Sequence, residues 1–112
     1  MKYFDIEAAA EKQSLTVDFL KKLLPTFIEQ LETKLQAIQE SYKAKKYKEV
    51  ESFAHGLTSV AASVGAYEVS NITKTIETYC KKDSIGDDLS GLLDDLVVIS
   101  KKTVESIQPY LK

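Results

Sequence analysis

The sequence predicts an all-α fold, an antiparallel up-down-up-down four-helix bundle with a short helix ahead of it. Apolar residues recur every three and four positions over most of the chain, the spacing of helices that bury one stripe. No stretch alternates polar and apolar residues over a useful length between turn signals, as a half-buried strand would. The breaks between the periodic segments are short, and short links favour antiparallel neighbours. With 112 residues the chain has the size of a single domain over 1–112, able to bury roughly two-thirds of the surface its unfolded form exposes.

The elements follow in order. Phe4 to Lys12 reads as a short helix, with Phe4, Ile6 and Ala9 available to cover one end of the bundle. Val17, Leu20, Leu24, Phe27, Leu31, Leu35, Ile38 and Tyr42 then trace one long amphipathic helix, close to 40 Å at about 1.5 Å per residue. Ser14 or Thr16 can cap its start, and Asp18 suits its first turn. Pro25 lies inside it, where a proline removes an amide donor, so a kink rather than a break is expected because the stripe stays in phase. The next helix carries Tyr47, Val50, Phe53, Ala54, Leu57, Ala61 and Val64 and closes at Gly65, a residue at ease in the left-handed conformation of a helix end. A third runs from Tyr67 with Val69, Ile72, Ile76, Tyr79 and Cys80 inward. "KKDSIGDD" interrupts the pattern and offers Asp87 or Asp88 as a new cap. The last helix presents Leu89, Leu92, Leu93, Leu96, Ile99, Thr103, Ile107 and Leu111.

Composition excludes several classes of function. A composition of 44% hydrophobic and 29% charged residues is that of a soluble globular protein. Charges interrupt every apolar stretch well before the roughly 20 residues of a membrane span. "MKYFDIEAAAEKQ" lacks the basic and apolar regions of a secretory signal, so a cytoplasmic location is expected. One cysteine, Cys80, supplies no intrachain disulfide, and a single Cys with a single His argues against a zinc site. The net charge is -2 and every basic residue is lysine, which argues against nucleic-acid binding. "KAKKYK", Lys43 to Lys48, is a local basic cluster, read first as a solvated helix connection and second as an attractor of an acidic partner.

The only histidine, His55, lies in "AHGLTSVAASVGA". Ala54 and Leu57 belong to the buried stripe, so His55 is turned about 100° from Ala54 onto the wet flank. Glu51 and Ser52 share that strip one turn earlier, and Thr58, Ser59 and Ala62 follow it. The last three are short, leaving room for a second protein to approach the ring. The sequence offers no charged orienting partner such as a nearby, well-placed Asp, no serine sits in a nucleophile elbow, and a helix surface offers no free amides for an oxyanion hole, so hydrolase chemistry is unsupported. An imidazole in water, with its ordinary pKa of about 6.5, is largely unprotonated at neutral pH and can act as a nucleophile towards phosphorus. Such chemistry requires a partner that delivers the phosphoryl group. A plain polar residue on a helical bundle is the bland alternative.

"FAHGLTSVAASVGA" resembles the signature of histidine-containing phosphotransfer (HPt) domains, typically Ala-His-x-Leu-Lys-Gly-Ser-x-x-x-Val-Gly-Ala with small residues inside, agreeing at Ala54, His55, Leu57, Ala61, Val64, Gly65 and Ala66. "LPTFIEQLETKLQAIQESYKAKKYKEVESFAH" is similar to the family's long helix and connection, and "IETYCKK" to its Leu-Glu-containing helix. The resemblance covers practically the whole chain and implies that His55 is phosphorylated, shuttling a phosphoryl group between receiver-domain aspartates. It implies a response-regulator receiver domain or a hybrid histidine kinase as partner, on the strip of Glu51, Ser52, Thr58, Ser59 and Ala62. It implies no cofactor of the chain's own, magnesium being held by the receiver. A monomer is expected, since no stripe is left uncovered. Thr58 and Ser59 stand where the family usually has lysine and glycine. A phosphoryl group carries nearly two negative charges, which an ammonium one turn away stabilises better than a hydroxyl. The resemblance therefore admits slowed transfer, a less stable phosphohistidine, or a docking module that lacks the chemistry.

Overall fold

Asp5 starts the first helix, α1 (Ile6–Lys12), its Oδ1 accepting the Ala8 amide at 3.2 Å. Phe4, expected inside this helix, lies before the cap and is buried there. The computed structural model describes residues 3–82 and 85–111, and among these it contains helices and no strand. Part of the "KKDSIGDD" turn, residues 83 and 84, lies outside the described residues.

Helix α2 (Val17–Lys43) is capped by Thr16, whose hydroxyl accepts the Phe19 amide at 3.1 Å. The alternative cap, Ser14, instead takes a left-handed φ of 57° in the preceding turn. Helix α2 runs through Pro25 unbroken. Pro25 and Lys21, whose carbonyl loses its amide partner, both face solvent, so water can satisfy the freed oxygen. Helix α3 (Tyr47–Val64) carries the histidine, α4 (Tyr67–Cys80) follows after Gly65 and Ala66, and α5 (Asp88–Ile107) completes the bundle. Asp87 stands at the α5 cap position but makes no side-chain cap bond. The chain then tightens into a 3₁₀ turn, Gln108–Leu111. The expected last helix ran on to Leu111. Pro109 explains the change, because it cannot donate to the preceding turn, and Leu111 ends exposed.

One apolar cluster draws on all five helices, with Leu20, Leu24, Phe27, Leu31, Ile38, Val50, Leu57, Val69, Ile76, Leu89, Leu96 and Ile107 almost wholly buried. Each such side chain contributes roughly 1.5–3 kcal/mol of transfer free energy. Helix α3 packs closely on α4 and α2, α4 packs on α5, and α2 meets α5 only sparsely. The α3–α4 seam is tight because Ala54, Ala61 and Ala66 are small and fully buried. Hydroxyls stitch it: Thr58 Oγ1 lies 2.7 Å from Thr73 Oγ1, and Ser70 Oγ donates to the Thr58 carbonyl at 3.1 Å.

Gly65 ends the histidine helix for two separate reasons. Its φ is 84°, in the left-handed region, while the Ala66 amide returns to the Ala61 carbonyl at 2.9 Å. A Cβ there would also lie 2.2 Å from Cβ of Ala9, so α1 packs directly on the bare backbone.

Candidate functional site

Periodicity places the imidazole on the wet side of α3, and there it stays: the His55 side chain is 69% exposed. Its Nδ1 lies 2.9 Å from Oε2 of Glu77, which projects from α4. A carboxylate can only accept, so Nδ1 carries a proton, and in the neutral ring Nε2 is left with its lone pair. Glu77 is itself only 15% exposed, and the same Oε2 is reached by Lys81 Nζ at 3.4 Å, from the residue that caps the end of α4. Partial burial pushes the Glu77 pKa up, but the hydrogen bond and charge of His55, joined by those of Lys81, outweigh it and hold the carboxyl below its ordinary value. The result is a chain Lys81–Glu77–His55 that fixes the ring by its inner nitrogen and leaves the outer one to solvent.

This overturns the expectation that no charged partner orients the histidine. Glu77 escaped the sequence reading because it is 22 residues away and on another helix. A signal existed: Glu77 follows the buried Thr73 by one turn and sits between the buried Ile76 and Cys80, with Lys81 four residues further on.

The five other residues of the predicted strip divide into two groups. Ser52 and Ser59 are exposed beside His55 on α3. Glu51, Thr58 and Ala62 are half-buried. Thr58 is committed elsewhere, donating to the Ala54 carbonyl at 2.8 Å and pairing with Thr73, so its hydroxyl belongs to the α3–α4 seam. Glu51 has one carboxylate oxygen buried without a hydrogen-bond partner. Its charge adds to burial in pushing the Cys80 thiol up to about 11, which leaves that cysteine protonated at neutral pH. Among the described residues no three His, Cys, Asp or Glu side chains gather as a metal site, and no helix is long and apolar enough to cross a membrane.

An exposed imidazole with one nitrogen anchored and the other bare can attack an electrophile brought by another protein, and it can return what it takes. The helix that carries it, its small-residue seam and its Gly65 stop are the parts the HPt resemblance singled out. The family model described as Hpt domain matches residues 22–105, three-quarters of the chain, including all of α3 and α4. No match was found among curated proteins or among solved structures. The chain belongs to the Hpt domain family, whose helical bundles take part in phosphorelay histidine phosphotransfer.

Proposed function

We propose that this chain is a stand-alone phosphotransfer protein that relays a phosphoryl group between receiver-domain aspartates through Nε2 of His55. The observation that carries the proposal is the solvent-facing ring anchored at Nδ1 by Glu77. In the accepting direction the Nε2 lone pair attacks the phosphorus of an aspartyl phosphate. The N–P bond forms as the P–O bond breaks, and the aspartate leaves as a carboxylate. The Nδ1 proton stays where it is, so the ring becomes cationic as the phosphoryl group arrives. Glu77 meets that growing charge with a half-buried carboxylate already in place, the kind of preorganised electrostatics that lowers barriers. The reverse reaction passes the group to a second aspartate.

Docking is assigned to the low surface around the ring, Ser52, Ser59 and Ala62 with Glu51 and Thr58 at its edge, flanked by part of α2. The partners are a receiver domain, a hybrid histidine kinase, or both in turn, with magnesium brought by the receiver. The molecule works as a cytoplasmic monomer, its main helices antiparallel. Contacts between α3 and α4 at residues roughly equidistant from the Gly65 turn, such as Thr58 with Thr73 and His55 with Glu77, support that arrangement.

A second reading, a non-catalytic module that docks on a receiver or kinase and blocks it, takes its support from Thr58, which brings no charge and whose hydroxyl is occupied. One experiment separates the two. The protein is incubated with phosphorylated receiver domains and acid-labile label is followed, with His55→Gln alongside. Label on the wild type alone is the expected result. Binding without label, unaffected by the substitution, establishes the docking module instead.

A further inference from the structure

Helix α3 has no lysine within one turn of His55 to meet a dianionic phosphoryl group, and the fold offers one from another helix. Lys34 of α2 is half-buried, lying across towards α3. Its Nζ would be 3.5 Å, and its Cε 3.8 Å, from a Cβ built on Gly56, the residue next to His55. The lysine tip therefore occupies the place where a longer side chain at 56 would sit. The two residues line a recess of about 440 Å³ between α2 and α3, together with Glu29, Gln30, Thr33 and Val60.

Lys81, which reaches the carboxylate beside the ring, is ion-paired with Glu77 there. Lys34, by contrast, makes no ion pair among the described residues. The ring is held from α4 at Nδ1, and the two ring nitrogens point apart, so Nε2 is directed away from Glu77. An alanine at 56 would meet the lysine at ordinary contact distance, so the backbone does not demand glycine; a larger residue would displace Lys34.

We infer that Lys34 is the positioning cation for the phosphoryl group at His55, acting across the space left by Gly56 in place of a lysine at 58. The inference rests on the reading of His55 as phosphoryl acceptor. Its chemistry is a charge-assisted hydrogen bond from the ammonium to phosphoryl oxygens, made during transfer and kept in the phosphohistidine.

The test uses the full chain and purified receiver domains phosphorylated with acetyl phosphate and magnesium. Transfer rate, phosphohistidine lifetime and their dependence on salt are measured for wild type, Lys34→Met, Lys34→Arg and Gly56→Leu, with Lys21→Met as a control elsewhere on α2. Lys34→Met should slow transfer about tenfold, the size of one hydrogen bond to a charged group, and flatten the salt dependence. Lys34→Arg should stay near wild type, and Gly56→Leu should resemble Lys34→Met. If wild type is labelled at His55 while Lys34→Met matches it in rate and salt slope, the role of Lys34 is overturned and the relay reading stands. Loss in Lys34→Met that arginine does not restore also overturns it, pointing to packing. Absence of label on wild type from every receiver overturns both.

Discussion

At the scale of single residues, the proposed relay depends on which nitrogen of His55 keeps the proton, and the hydrogen bond to Glu77 sets that. Glu77→Gln leaves an oxygen that can accept Nδ1–H but removes the charge facing the phosphorylated ring. Transfer should fall by up to about tenfold, as a charge-assisted hydrogen bond is exchanged for a weaker neutral one, while nitrogen NMR still shows Nδ1 protonated. A ring shifted to the other tautomer would mean the hydrogen bond, rather than the charge, was the main contribution. The same carboxylate enters the pH dependence of stability. Its pKa is lower folded than unfolded, so its contribution is fully present above the unfolded value and is lost as pH falls through the folded one. Urea midpoints at pH 7 and pH 3 should therefore differ less in Glu77→Gln than in wild type. Cys80 gives a complementary expectation: a buried thiol with its pKa raised to about 11 should resist thiol reagents until the protein unfolds. His55 was legible from periodicity, since one apolar stripe sets the direction of every side chain on its helix. Glu77 and the inward turn of Thr58 were not, because both depend on how α4 is set against α3.

At the scale of elements, helix ends carry most of the local information. Gly65 was legible, but only half of its reason was: the left-handed turn can be read in the sequence, whereas the approach of Ala9 needs the packing of α1. Gly65→Ala combines about 1–2 kcal/mol of left-handed strain with a clash of about 1–3 kcal/mol. A total loss of about 2–5 kcal/mol should appear in chemical denaturation, and a loss below about 1 kcal/mol would show that α1 simply moves aside. The end of α2 offers the opposite experiment. Lys45 holds a φ of 60° while the Lys46 amide bonds to the Ser41 carbonyl at 2.8 Å, a glycine-type helix stop built without glycine. Lys45→Gly relieves the strain at a smaller cost in chain entropy, and should stabilise the fold by about 0.5–1 kcal/mol. The basic cluster at 43–48 thus includes a lysine in a strained turn as well as a charged surface. Pro25 and Pro109 show why one residue type reads differently by position. The first lies in a long helix whose stripe resumes on both sides, and the second lies where only one turn remains to be lost.

At the scale of the whole molecule, packing is uneven, and the unevenness bears on function. Helices α3 and α4 share the small-residue seam and the Thr58, Ser70 and Thr73 hydroxyl network. Helices α2 and α5 instead leave a groove of about 300 Å³ lined by Leu31, Leu35, Val97 and Val104. The helical periods that made the bundle legible say which stripe each helix buries, but not how closely two stripes approach, which small side chains and hydroxyl pairs decide. Local opening follows such differences, the sparsely packed parts exchanging first. Native-state hydrogen exchange should therefore find the slowest amides in the α3–α4 pair around Leu57 and Ile76, and earlier opening in the second half of α5 and the 3₁₀ turn after it. This order matters to the site because Nδ1 of His55 is anchored across the α3–α4 seam: if that pair opened first, the ring would lose its carboxylate in every excursion and Nε2 would no longer be presented in one orientation. Exchange as fast in α3 and α4 as in α5 would refute the idea that the seam keeps the ring preorganised, and the orientation of His55 would then have to come from the docked partner.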